Sequence, residues 1–169
     1  GSTEINAARF DNLGNITQIG GASGKFGYFA SVSTQKSNRF LDQVSLDNLH
    51  NGGNSQRGFA RLDYQIGLAD FLRVNLMAGR SSFQLANLRS QHEAGQQQRQ
   101  LLRDAGVSLG YIHVIGAAAT FDSTTSYRAS IAQLFSSPGD TPVTAAQARH
   151  LNNVTTANRA NWILGSQEF

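Results

Sequence analysis

From Asp70 to Phe83 the chain alternates apolar and polar residues with a period of two. Leu72, Val74, Leu76 and Ala78 take one face; Arg73, Asn75 and Gly79 take the other, with Met77 breaking the pattern. That period specifies a β-strand rather than a helix. Its length constrains the fold further. A strand in a soluble sheet usually stops after about six residues, whereas one that crosses a lipid bilayer needs roughly nine to eleven. Several segments here reach that length. They predict an all-β chain, an antiparallel up-and-down meander of about six to eight long strands forming part of a transmembrane β-barrel.

The other alternating runs are Thr3–Phe10 (weakly), Lys25–Thr34, Gly58–Ile66, Arg99–Ile115 and Thr120–Phe135. Between them lie long polar stretches, Gln35–Arg57 and Gln84–Gln98, and short turns, Gly67–Asp70 and Gly116–Ala118. A third polar stretch is expected from Ser136 to about Asn158, with Thr144–Leu151 as a short helix and Arg159–Phe169 as the start of a further strand. Outer-membrane barrels sort their connections into short periplasmic turns and long extracellular loops. By that rule the two short turns face the periplasm, and residues 36–56, 86–98 and 137–157 face outside. Tyr64, Phe71 and Phe121 flank the short turns, as an interfacial aromatic girdle requires.

Composition agrees. Charged residues are 15%, well under the roughly 25% of soluble domains. No run approaches the roughly 18 apolar residues of a membrane helix, which excludes a helical membrane protein but not a barrel. There is no Cys, so disulfides, thiolate metal sites and thiol nucleophiles are excluded. The net charge of +3 comes from dispersed Arg residues with no basic cluster, which argues against a nucleic-acid partner.

No catalytic, cofactor or metal constellation is legible. His92-Glu93 has no second His four residues on, and His50, His113 and His150 are dispersed. There is neither a GxSxG elbow nor a phosphate loop. Asp63, Asp104 and Asp122, with Arg61, Arg73, Arg103 and Arg128, are expected to form a ladder of charge on the polar face. The chain is therefore not expected to be an enzyme. Ligand contacts fall most naturally on the first long loop, where Arg39, Phe40, Asp42, Asp47 and His50 are the candidates.

Ser37–Asn87 reads SNRFLDQVSLDNLHNGGNSQRGFARLDYQIGLADFLRVNLMAGRSSFQLAN. With its NxGxSQRxFxRLDY loop end, short turn and LRxNLxxGRSxF strand, it resembles the barrel of TonB-dependent outer-membrane receptors. The likeness is to the Oar-like group with a carboxypeptidase-regulatory-like leading domain. Gln98–Ser137 resembles the next hairpins of such a barrel. The resemblance implies energy-coupled uptake of a large substrate across the outer membrane of a Gram-negative-type bacterium. Its implied partners are outer-membrane lipid, the plug and remaining strands of the receptor, and TonB acting through the plug. No plug, TonB box or regulatory-like domain is recognisable within residues 1–169, and no apolar alternation precedes the terminal Phe169, so the chain is expected to be an internal piece of the barrel. The competing expectation is a soluble lipocalin-like barrel or sandwich with Leu72, Val74, Leu76, Leu109 and Tyr111 turned inward around a small ligand.

Overall fold

A computed structural model describes residues 1–137, 140 and 146–162. The chain forms one antiparallel sheet of eight strands in sequence order, an uninterrupted up-and-down meander. The strands are β1 (Ser2–Ala8), β2 (Asn12–Ser23), β3 (Phe26–Ser37), β4 (Gly53–Gln65), β5 (Asp70–Gln84), β6 (Arg99–Ile115), β7 (Ala119–Phe135) and β8 (Gln147–Trp162). A five-residue helix, α1 (Arg89–Glu93), sits between β5 and β6. The strands β3 to β8 run from 12 to 17 residues. All of them exceed the bilayer minimum of about nine to eleven.

Three expectations are corrected. The stretch 137–157 is not one loop. Gln147–Trp162 is a full strand paired along β7, so Gln147–Leu151 is strand rather than helix and Arg159 lies near the strand's end. Residues 163–169 lie outside the described residues. The first long loop is also shorter than expected, spanning 38–52, because β3 and β4 stay paired from Phe26↔Tyr64 out to Ser37↔Gly53. Finally, the connection between β1 and β2 at residues 9–11 is a short one on the long-loop end, with Phe10 and Asp11 both at positive φ. The other end carries only short turns, at 24–25, 66–69 and 116–118. Gly24 and Gly116 supply the left-handed backbone there.

Register sums are constant through every strand pair, so the sheet carries no bulge. Against the row Phe26–Tyr64–Leu72–Tyr111, the short turns step outward by two residues per hairpin: past Phe26, then past Asp70, then past Ile115. Two residues of about 3.3 Å over two strands of about 4.8 Å give a tilt of about 35°, the lower edge of the range for closed barrels.

The sheet has no interior in the usual sense. Its accessible surface is 11720 Å², against about 8,000 Å² for a compact monomer of this mass. Leu101 is the one buried hydrophobic residue among those described. On β4 and β6 the apolar positions are the exposed ones and the polar positions are half-buried: Leu62 and Tyr64 against Arg61 and Asp63, Val107 and Leu109 against Ser108 and Gly110. On these two strands the sheet is inside out, with the polar positions more sheltered than the apolar ones.

Candidate functional site

Register assigns each side chain to a face. The outward face carries an apolar band whose rows include Tyr28–Leu62–Val74–Leu109 and Ala30–Ala60–Leu76–Val107–Tyr127. Leu76 is 45% and Leu109 is 48% exposed. Asp70 and His113 bound the band at the short-turn end, and Arg80 and Arg103 bound it at the other. Ten residue steps separate Asp70 from Arg80, about 33 Å along the strand and about 27 Å along an axis tilted by 35°, close to the apolar height of outer-membrane barrels. Outward aromatics follow the descent of the turns: Phe26 and Tyr64, then Phe121, then Trp162. Phe71 does not belong with them. It pairs opposite Gln65 and Ile112 on the inward face.

Asp70 is the one carboxylate on the outward face of the described strands, and its Oδ1 is doubly engaged. It accepts a hydrogen bond from the Tyr111 hydroxyl at 2.5 Å, and the same oxygen lies 2.7 Å from His113 Nδ1.

The inward face holds the charge ladder. Asp63 lies between Arg61 Nε (2.6 Å) and Arg73 Nε (2.8 Å), with Arg61 Nη2 also 3.1 Å from its second oxygen. Both oxygens are occupied, so Asp63 presents no free base. Asp104 lies 3.8 Å from Arg128. Gly79 makes room for it, since a Cβ at that position would lie 2.6 Å from Asp104 Oδ1. Asp122 is opposite Arg159 in register. Arg103, expected in this ladder, instead faces outward across from Arg80. These pairs are about two-fifths exposed, so they orient the side chains more than they stabilise the sheet. A groove of about 400 Å³ runs along this face between Lys25, Asp63, Arg73, Asn75, Ser108 and Asp122.

The second locus is the long-loop end. The four buried residues among those described all lie toward this end, and three of them are polar: Ser37, Asn51 and Asn87. Asn51 donates through Nδ2 to Leu41 O (2.8 Å) and Asn48 Oδ1 (2.9 Å), and its own Oδ1 accepts from Leu41 N–H (2.9 Å). Asn87 donates to Gln96 O, and its N–H reaches Leu49 O, so loop 38–52 is bound to loop 85–98. Ser137 ties in the third connection. Its hydroxyl accepts from Gln97 N–H and donates to Asp140. Partial desolvation raises the Asp140 carboxyl, but hydrogen bonds from Ser137 and Gln98 outweigh it and hold the pKa below its ordinary value.

The five loop candidates divide. Phe40 stacks on Phe83 at 5.3 Å between centroids, packed so closely that a Cβ on Gly53 would lie 2.5 Å from its ring. His50 Nδ1 lies 2.9 Å from Leu85 O. Asp47 pairs with Arg89 of α1 at 2.9 Å. These three hold the loops together. Arg39 lies over the Phe10 ring at 5.3 Å but remains exposed, and Asp42 is exposed. The loop's most open apolar side chain is Leu46, which the sequence did not single out. Among the described residues no three His, Asp or Glu side chains gather as a metal site.

Asn51→Ala is expected to release this loop while leaving the sheet paired. Losing a buried three-bond anchor costs about 1–3 kcal/mol, so cleavage within 38–52 under limited proteolysis should rise roughly five- to 150-fold. Unchanged cleavage would mean that Asn51 does not hold the loop.

No family model, curated protein or solved structure matches this chain.

Proposed function

We propose that this chain is wall and loops of an outer-membrane TonB-dependent receptor of the Oar-like group, taking part in uptake of a large substrate from outside the cell. The observation that carries the membrane assignment is how the sheet divides its faces: Leu76 and Leu109 stand open on one side with no apolar layer over them, and Arg61, Asp63 and Arg73 pair with one another on the other. Water does not select that arrangement, whereas a bilayer outside and an aqueous lumen inside do. The receptor class rests on the Ser37–Asn87 motif series. Both end strands, β1 and β8, have one neighbour in the sheet order. An open edge is not tolerated in lipid, so the remaining strands of the receptor are the natural partners of both. The chain contributes no catalytic step. In the lipocalin-like alternative Leu72, Val74, Leu76, Leu109 and Tyr111 would turn inward; register puts all five on one face, and the exposure of Leu76 and Leu109 there supports the membrane reading over a dry interior.

The test is epistasis in the host. Disrupting this gene and disrupting TonB should give the same nutrient-dependent growth defect, with the double disruption no worse than TonB loss alone. A gene-disruption defect that adds in full to that of TonB loss would overturn the uptake role.

A further inference from the structure

We infer that the outward face just beyond the apolar band binds the anionic phosphate headgroup of a membrane lipid. This rests on the reading above that the band itself meets acyl chains. Arg80 and Arg103 stand directly opposite each other on β5 and β6, and both are exposed. Like charges in that position destabilise a strand pair unless something neutralises them. Their row also carries His150 on β8, opposite Ile131. The row beyond carries Lys36 on β3, opposite Asn54. Arg99 follows further out on β6, with its guanidinium 6.0 Å from the Phe135 centroid. No acidic residue occupies the outward face of these rows among the described residues; Glu4, Asp63, Asp104 and Asp122 all point inward by register, and Asp70 is at the opposite rim. Arg80 donates to Asn54 Oδ1 at 3.3 Å, a neutral partner that leaves its charge uncompensated.

Depth identifies the occupant. The Arg80–Arg103 row lies about 27 Å from the Asp70 rim along the tilted axis, at the far side of a hydrocarbon core of about 30 Å. Headgroup phosphates lie at that level. A guanidinium pair suits them, because each guanidinium can donate two parallel hydrogen bonds to phosphate oxygens. Immediately inside the band, Ala78 and Ala105 face each other, so small side chains border the arginines on the hydrocarbon side. A lipid whose phosphate meets the arginines lays its chains on Leu76 and Val107.

The experiment uses the intact receptor that carries this chain, refolded into vesicles of phosphatidylcholine with brominated acyl chains, with and without phosphatidylglycerol, any tryptophan outside residues 1–169 being replaced by phenylalanine. Trp162 is the single tryptophan, is 65% exposed and faces outward, so quenching of its fluorescence reports insertion. Lipid retained on the extracted protein is then counted by native mass spectrometry. The expected result is retention of phosphatidylglycerol over phosphatidylcholine, falling about tenfold in R80Q/R103Q through loss of the charge-assisted contacts. It should be unchanged in R57Q/R149Q, which removes the same charge from the inward face. Equal loss in both double variants would make the preference one of net charge and overturn the site. So would displacement of the lipid by inorganic phosphate. Quenched Trp162 with no lipid preference overturns this inference alone; unquenched Trp162 overturns the membrane reading and this inference with it.

Discussion

On the proposed membrane reading, Leu76→Arg is expected to lower the stability of the bilayer-inserted receptor by about 2–4 kcal/mol, the cost of a lipid-facing Arg near the bilayer midplane. Leu76 is six residue steps from Asp70 and four from Arg80, near the middle of the apolar band. Ser108→Arg is the matched control. Ser108 is half-buried on the inward face, flanked along its strand by Gly106 and Gly110 and opposite Asn75 and Ser126. A cation there has room and polar neighbours, and the change should stay within about 0.5 kcal/mol, as surface substitutions usually do. Urea unfolding in vesicles, followed by Trp162 fluorescence, measures both. The two faces give opposite answers under the alternatives. Were the sheet solvated on its apolar side, Leu76→Arg would be nearly neutral and Ser108→Arg, introduced on the sheltered face, would be the costly one. That reversed order would remove the basis for placing the outward face in lipid.

The period-two pattern that made the fold legible did so only where one face is greasy and the other wet. Arg99–Ile115 satisfies that condition through its centre, and β6 has those bounds. Gln35–Ser37 and Gly53–Arg57 do not. They are polar on both faces, yet their ladder continues, because hydrogen bonding between strands does not depend on hydrophobic contrast. β8 is the extreme case. Asn152, Asn153, Thr155, Thr156 and Asn158 show no alternation, and the Ala, Gln, Arg and Leu residues before them favour helix, but sixteen paired positions along β7 override that local preference. Arg103 was legible by counting: it keeps the parity of Val107 and Leu109, and its charge alone suggested the polar face. The loop architecture was not legible. Asn51, Asn87 and Ser137 act across long separations, and nothing local distinguishes them from the many other amides and hydroxyls of those stretches.

Single cysteines at Leu46 and Leu68 should label oppositely. Residues 1–169 contain no Cys, so each substitution introduces the one thiol of this sheet, and the matched parent without it sets the background. Both side chains are almost wholly exposed, Leu46 at 97% in loop 38–52 and Leu68 at 98% in the turn 66–69. A reagent limited only by local accessibility would modify them equally. The sheet places them at opposite ends, separated by β4 and by the whole height of the apolar band. With the long loops outside and the short turns in the periplasm, a membrane-impermeant maleimide added to intact cells should modify Leu46→Cys nearly completely and leave Leu68→Cys at background. Permeabilising the outer membrane should then bring Leu68→Cys up to the same extent. Under the proposed reading the contrast is all-or-none, because the barrier would be the bilayer and not a difference in burial. Labelling of Leu68→Cys alone in intact cells would invert the orientation. Equal labelling of both before permeabilisation would show that no membrane separates the two ends of the sheet, and the receptor assignment would fail with it.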